Sequence, residues 1–192
     1  MNFLRFLEKP GTYAASNPNR VPVMQNVLVL CTANSARSIL GAAILNRVGG
    51  DRFRAYSAGS HPRGTPNPLA IDLLKSLGYP VADSRSKSWD EFAGPGAPKI
   101  DLVITVCDAA AGESCPLWPG APLKVHWGIP DPAGAPGGLE AERAAFRLAY
   151  DRLLARMTAL VALPFETMDQ TEIKQRLQDI AKLEGATAMA SR

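Results

Sequence analysis

The sequence predicts an α/β fold, a three-layer sandwich built on a central, roughly four-stranded parallel sheet. Two observations predict this class. Apolar runs of strand length alternate along the chain with stretches of helical periodicity, the order typical of parallel sheets. The first such run, at residues 27–30, is continuously apolar, which indicates a strand buried on both faces. A length of 192 residues suits one sizeable domain and leaves little room for a second.

The first helix is predicted over residues 37–48, directly after the first strand. Its apolar residues recur at helical spacing and form one stripe: Ile39, Leu40, Ala43, Ile44 and Val48. Gly49 and Gly50 follow, and glycine commonly ends helices. The alternation continues with a strand over 54–58 and a helix over 68–77.

The second half of the chain repeats the pattern. The most apolar strand is predicted over 100–107, and residues 123–127 are a candidate fourth strand. A long helix over 139–162 has six residues on one face: Phe146, Tyr150, Leu153, Met157, Leu160 and Val161. Between residues 112 and 138, 12 of 27 residues are Gly or Pro, which predicts a long surface loop of the kind that often carries function.

Both ends of the chain depart from this rhythm. Several Pro-containing pairs break residues 1–24, so we expect an N-terminal arm before a domain over 25–163. Residues 164–192 are predicted to be a helical extension, with four apolar residues at helical spacing: Ile173, Leu177, Ile180 and Leu183. That apolar face needs cover, either from its own domain or from a second subunit, so a monomer and a homodimer both fit.

Charge and composition exclude several classes of protein. The net charge of +3 is spread along the chain, so no basic stripe indicates nucleic-acid binding. Neither a signal-peptide pattern nor a run of roughly 18 apolar residues for a membrane span is found, and we expect a cytoplasmic protein. Three cysteines, Cys31, Cys107 and Cys115, are too few for a disulfide scaffold and suit a reducing compartment.

The segment between the first strand and the first helix is suited to binding a tetrahedral oxyanion. It reads Cys31, Thr32, Ala33, Asn34, Ser35, Ala36, Arg37 and Ser38. Such a loop directs backbone N–H groups toward an anion at the positive end of the helix dipole, and Arg37 adds a planar fork for two oxygens. The same field favours a cysteine thiolate, so Cys31 is the candidate nucleophile, with Ser38 placed to donate a hydrogen bond to its sulfur.

A second element lies near residue 131. Asp131 stands between two prolines on a stiffened loop, as a proton donor aimed at a leaving oxygen would. Blander interpretations exist for each residue: a turn-forming Asp131, a buried apolar Cys31, and a surface Arg37.

Taken together, these motifs resemble the low-molecular-weight protein tyrosine phosphatase fold over roughly residues 26–163. Three further motifs resemble the thiol-linked arsenate reductases of that superfamily: Val103 to Asp108, Cys115-Pro116, and His126-Trp127-Gly128. The resemblance implies a phosphatase-like fold, arsenate as substrate with phosphate and sulfate as analogues, and thioredoxin or another thiol donor as partner.

Phosphatase and reductase differ in their need for cysteines. Ester hydrolysis needs one thiolate, a proton donor and water, whereas reduction of arsenate consumes two electrons, the yield of joining two thiols. Cys107 ends the most apolar of the predicted strands, and the carboxyl ends of parallel strands meet at the edge where the Cys31 loop also lies. Small, flexible residues over 108–114 could let Cys115 move toward Cys107.

By analogy with these reductases, Cys31 attacks arsenate while Asp131 protonates the departing oxygen and Arg37 holds the adduct. Cys107 then attacks the Cys31 sulfur and arsenite leaves. Cys115 finally forms a disulfide with Cys107, which the thiol donor reduces.

Some features leave alternatives open. A tyrosine phosphatase using Cys31, Arg37 and Asp131 is the main one, although Ala133 and Gly134 stand where such enzymes usually carry aromatic residues. A non-catalytic anion-binding or redox-sensing module is another. We predict no cofactor and no metal site, because the two histidines lack zinc-site spacing. We also predict no potassium site, since Ala42 occupies the position of a family carboxylate, although Asn34 matches another ligand.

Overall fold

The computed structural model describes residues 25–114 and 116–191. The predicted N-terminal arm and Cys115 lie outside the described residues. Four parallel strands form one sheet, which confirms the predicted class: β1 (Gln25–Cys31), β2 (Phe53–Gly59), β3 (Leu102–Thr105) and β4 (Leu123–His126). Their order is β2-β1-β3-β4, so the candidate fourth strand is an edge of the sheet.

The helices in the described residues follow the predicted order, with one addition. They are α1 (Arg37–Val48), α2 (Pro68–Ser76), α3 (Asp108–Gly112), α4 (Gly138–Val161) and α5 (Gln170–Ala181). Sequence reasoning missed α3, although its three consecutive alanines are the best helix formers. The apolar run 100–107 is therefore only partly strand, because Cys107 already serves as the N-cap of α3.

Residues along β1 alternate between the two faces of the sheet, as the period of a strand requires. Val27 and Val29 belong to the larger core cluster, which α1, α4 and α5 complete. Leu28 and Leu30 belong to a smaller cluster on the other face. A short 3₁₀ turn, Trp89–Phe92, covers that second face together with neighbouring loops.

The C-terminal helix α5 packs onto its own domain. Leu177, Ile180 and Ala181 are buried in the larger cluster. The indole N–H of Trp127, at the end of β4, donates to the Leu177 carbonyl at 2.9 Å. The apolar face of α5 is therefore covered by the chain's own domain, one of the two alternatives that the sequence left open. No helix in the described parts of the chain is both long and apolar enough to cross a membrane.

Candidate active site

The register of the sheet gathers the predicted site at one edge. Cys31 pairs with Gly59 of β2, Leu30 with Thr105 of β3, and Thr105 with His126 of β4. The chain leaves all four strands at this edge, because the strands are parallel. The loop 32–36 starts here and leads directly into α1.

Hydrogen bonds turn the carbonyls of this loop outward. The carbonyls of Thr32, Ala33 and Ser35 accept from the amides of His61, Arg63 and Asn67 at 2.8–3.1 Å. A peptide's N–H and C=O point in opposite directions, so the amides that follow these carbonyls point away from residues 61–67. The N-cap residue of α1, Ala36, makes no side-chain cap. Backbone N–H groups at the positive end of the α1 dipole are thus suited to binding an anion.

A glycine permits the loop to approach the sheet this closely. A Cβ at Gly59 would overlap the carbonyl oxygens of Cys31 and Thr32 and the amide nitrogen of Asn34. Gly59 is therefore needed for space, since any side chain would push the loop away from the end of β2.

The Cys31 sulfur has a directed hydrogen-bond partner. Ser38 Oγ lies 3.0 Å from Cys31 Sγ, and Asn34 Nδ2 donates to the same oxygen at 2.8 Å. Asn34 has a left-handed backbone with φ of 41°, and its Oδ1 accepts from the Lys87 amide at 2.8 Å. Because the amide group of Asn34 donates to Ser38 Oγ, the Ser38 hydroxyl proton is free to point at the sulfur, where it stabilises a thiolate.

The Asp131 loop comes to the mouth of the same site. Arg37 donates from Nη1 to the Ile129 carbonyl at 3.0 Å and from Nη2 to Asp131 Oδ2 at 2.6 Å. The Arg37 side chain is 14% exposed, whereas Asp131 is 52% exposed. The two elements that the sequence marks 94 residues apart therefore meet through the arginine.

Cys107 also approaches the loop. Its sulfur lies 3.6 Å from Oγ1 of Thr32, the residue after Cys31, and the Thr32 hydroxyl donates to Glu113 Oε1 at 3.3 Å. Cys31 and Cys107 are both buried and both free thiols. Since the single Thr32 proton is directed to Glu113, the Cys107 thiol donates to Thr32. Cys115, two residues after Glu113, lies outside the described residues.

Comparison with known proteins identifies the family. Residues 26–178 match the model of the low molecular weight phosphotyrosine protein phosphatase family. The chain belongs to this family. The match confirms the predicted family and extends beyond residue 163, into α5.

Relatives within this family are similar over most of their length. The chain is 36% identical to an arsenate reductase of Halalkalibacterium halodurans over 131 residues, 68% of this chain and 91% of the relative. It is 35% identical to an arsenate reductase of Bacillus subtilis over 136 residues, 70% of this chain and 94% of the relative. A solved arsenate reductase structure from Archaeoglobus fulgidus superposes with a TM-score of 0.56 at 27% identity, covering 71% of this chain and 99% of that one.

Beside the phosphatase-family loop lies a polar cluster at the start of α3. His126 Nε2 lies 2.9 Å from Asp108 Oδ1, and His126 Nδ1 lies 2.9 Å from Thr105 Oγ1. Thr187 donates to Asp108 Oδ1 at 2.6 Å. Partial burial raises the pKa of Asp108, but hydrogen bonds from Thr187 and His126, with the charges of His126 and Arg37, hold that pKa below its usual range.

Sequence reasoning missed some residues near the site. Glu113 contacts Thr32, 81 residues before it in the chain, and Thr187 contacts Asp108, 79 residues before it. No local sequence pattern marks Glu113 or Thr187. Gly59 had a usable signal, a glycine at the carboxyl end of a predicted strand. Among the described residues, no three His, Cys, Asp or Glu side chains are grouped so that they could hold a metal ion.

Proposed function

We propose that this member of the family reduces arsenate to arsenite through Cys31, Cys107 and Cys115. The observation that carries the proposal is the second buried thiol beside the oxyanion loop, with Cys107 in contact with Thr32. A phosphatase needs only one thiolate, whereas two-electron reduction needs a second thiol that reaches the first. The similarity to arsenate reductases supports the same choice.

The first step forms a sulfur–arsenic bond. Arsenate binds in the loop 32–38, where backbone N–H groups and the Arg37 guanidinium hold its oxygens. The Cys31 thiolate attacks arsenic, and one arsenic–oxygen bond breaks as Asp131 gives its proton to the oxygen that leaves as water. Arg37 Nη2 donates to Asp131 Oδ2 in the structure, so an oxyanion that binds this nitrogen competes with Asp131 for it.

The second step moves the electrons. The Cys107 thiolate attacks Cys31 Sγ, a Cys31–Cys107 disulfide forms, and the electron pair of the sulfur–arsenic bond stays on arsenic, which leaves as arsenite. Thr32 and Glu113 support this step by accepting the proton of the Cys107 thiol along the observed contacts. Cys115 then attacks Cys107 Sγ and releases the Cys31 thiolate.

The remaining Cys107–Cys115 disulfide requires an external reductant. We propose thioredoxin or another thiol donor as that partner, with phosphate and sulfate as unreactive analogues of arsenate. These analogues share the tetrahedral shape and charge that the loop recognises.

A second candidate is hydrolysis of phosphotyrosine by Cys31, Arg37 and Asp131, which the family match supports. One experiment separates the two. The reduced protein is incubated with arsenate or, as a control, with phosphate, and its disulfides are mapped by mass spectrometry. If the protein reduces arsenate, a Cys107–Cys115 disulfide should form after incubation with arsenate and not after incubation with phosphate. Three free thiols after arsenate, together with rapid hydrolysis of an aryl phosphate, would favour the phosphatase.

A further inference from the structure

The C-terminal segment 182–191 lies beyond the family match, which ends at residue 178, yet it returns to the candidate site. The amide of Thr187 donates to the Gly128 carbonyl at 2.9 Å, and the Thr187 hydroxyl donates to Asp108 Oδ1 at 2.6 Å. Asp108 directly follows Cys107 and is the first residue of α3. A segment outside the region shared with the family therefore holds the residue next to a proposed redox thiol.

Four side chains, which we call the Asp108 clasp, fix the chain on both sides of Cys107, at Thr105 two residues before it and at Asp108 directly after it. They are Thr105, Asp108, His126 and Thr187. His126 contacts Thr105 on the strand side and Asp108 on the helix side, each at 2.9 Å. Thr187 adds the shortest of these contacts and binds the same Asp108 oxygen as His126. Cys107 is thus held between two anchored positions.

Gly128 gives the clasp its space. A Cβ at this position would overlap Oγ1 of Thr187, Oδ1 of Asp108 and Nε2 of His126 at the same time. The three groups converge over one glycine, and no other residue would leave this arrangement intact.

Hydrogen bonds from a buried arginine fix the start of the segment that carries Thr187. Arg156 is fully buried on α4 and donates to three carbonyls at and just after the end of α5, those of Ala181, Leu183 and Glu184. Burial and the charge of Arg152 lower the pKa of Arg156 to about 10. These bonds hold the chain where it leaves α5, so the chain approaches the clasp from a fixed direction.

We propose that Thr187 is a positioning residue that holds Cys107 in reach of Cys31. This inference rests on the proposed arsenate reduction, in which Cys107 attacks Cys31 and Cys115 then approaches Cys107. The helix α3 has only five residues and no side-chain cap, so its own hydrogen bonds stabilise its first turn weakly. The clasp stabilises that turn through contacts from outside the helix.

The test compares Thr187→Val, which removes the hydroxyl at nearly constant shape, with Thr187→Ser, which keeps it. Both are made in a Cys115→Ser background so that the relay stops at the first disulfide. Reduced protein is mixed with arsenate, quenched with an alkylating agent, and assayed for the Cys31–Cys107 disulfide. We expect formation to slow about tenfold in Thr187→Val and to recover in Thr187→Ser, because the lost bond is to a charged group. The affinity for phosphate should stay unchanged, and Thr171→Val, an exposed position on α5, serves as the matched control.

Hydrogen exchange gives a readout that does not depend on arsenate. The Ala111 amide donates to the Cys107 carbonyl in α3, and its exchange should accelerate in Thr187→Val but not in Thr187→Ser. Unchanged Ala111 exchange in Thr187→Val would overturn the proposal, as would equal disulfide rates in the two variants or a parallel loss of phosphate binding. If the Cys115→Ser parent forms no disulfide with arsenate, the proposed function fails, and the exchange result still decides the role of Thr187.

Discussion

At the residue scale, the candidate site depends on a few hydrogen bonds whose direction is fixed. The Asn34 side chain donates to Ser38 while its oxygen accepts from the Lys87 amide, so neither end of the amide group can be reversed. The Ser38 proton is consequently directed to Cys31 Sγ. A loop of small residues thus gains a rigid donor for a thiolate.

Removing that donor should make Cys31 less reactive. We expect Ser38→Ala to slow alkylation of Cys31 by iodoacetamide at neutral pH roughly tenfold, because a hydrogen bond to a charged sulfur is lost. Peptide mapping measures the rate at Cys31 alone. Ser76→Ala, on the exposed end of α2, is the control, and equal rates in the two variants would contradict the assigned role of Ser38.

Arg37 should require its guanidinium shape as well as its charge. Lysine keeps the charge but lacks the planar fork that bonds two oxygens and also reaches the Ile129 carbonyl. We expect Arg37→Lys to weaken phosphate binding about tenfold by calorimetry. Arg63→Lys, beside the same loop, should bind phosphate as the unmodified protein does; equal weakening in both would point to net charge as the determinant.

At the element scale, the segment from α3 to Cys115 distinguishes the proposed reductase from a phosphatase. Cys115→Ser should still release one equivalent of arsenite, because Cys31 and Cys107 supply both electrons. It should fail in repeated turnover with thioredoxin, since the disulfide stays buried at the loop. Arsenite release measured with and without thioredoxin checks this, and steady turnover by Cys115→Ser would remove Cys115 from the relay.

Elements with strong periodicity were predictable, and elements fixed by distant contacts were not. The bounds of α1 match the prediction from residue 37 to residue 48, because an apolar stripe and two glycines define them locally. The strand expected to reach Cys107 stops at Thr105 instead, where pairing with β4 ends. Helix α5 was predicted, but its cover was not, since burial on α4 and β4 depends on the whole fold.

The candidate site divides in the same way. Cys31, Arg37 and Asp131 could be found because their spacing and neighbours carry a chemical pattern. The Thr187 hydroxyl contacts Asp108, which lies 79 positions earlier in the chain, and no sequence pattern predicts such a contact. Positioning residues of this kind become visible only in three dimensions.

At the scale of the whole molecule, α1 connects the candidate site to a polar junction at its other end. Arg47, in the last turn of α1, lies 3.2 Å from the centre of the Tyr79 ring and donates to the Leu77 carbonyl. The Tyr79 and Tyr150 hydroxyls are 2.8 Å apart, which joins the end of α2 to α4. Three helices that frame the larger core are therefore fixed to one another away from the site.

This junction makes stability depend on pH in the alkaline range. Burial, the hydrogen bond with Tyr79 and the Tyr79 charge raise the pKa of Tyr150 to about 12, from 10.0. The folded state thus favours neutral Tyr150, and its contribution is fully present below about pH 10. As pH rises toward about 12, the unfolded chain ionises first, so the free energy of unfolding falls.

Tyr150→Phe tests this contribution, because it removes the hydroxyl that ionises and keeps the ring. Between about pH 8 and about pH 11, the free energy of unfolding of the original protein should fall by roughly 1.4 kcal/mol more than that of Tyr150→Phe. Urea unfolding followed by tryptophan fluorescence measures both differences. Tyr56→Phe, on the opposite face of the sheet, is measured in parallel as a second Tyr→Phe substitution. A pH-independent difference for Tyr150→Phe would mean that Tyr150 ionises as readily in the folded chain as in the unfolded one, and that the junction does not exclude water.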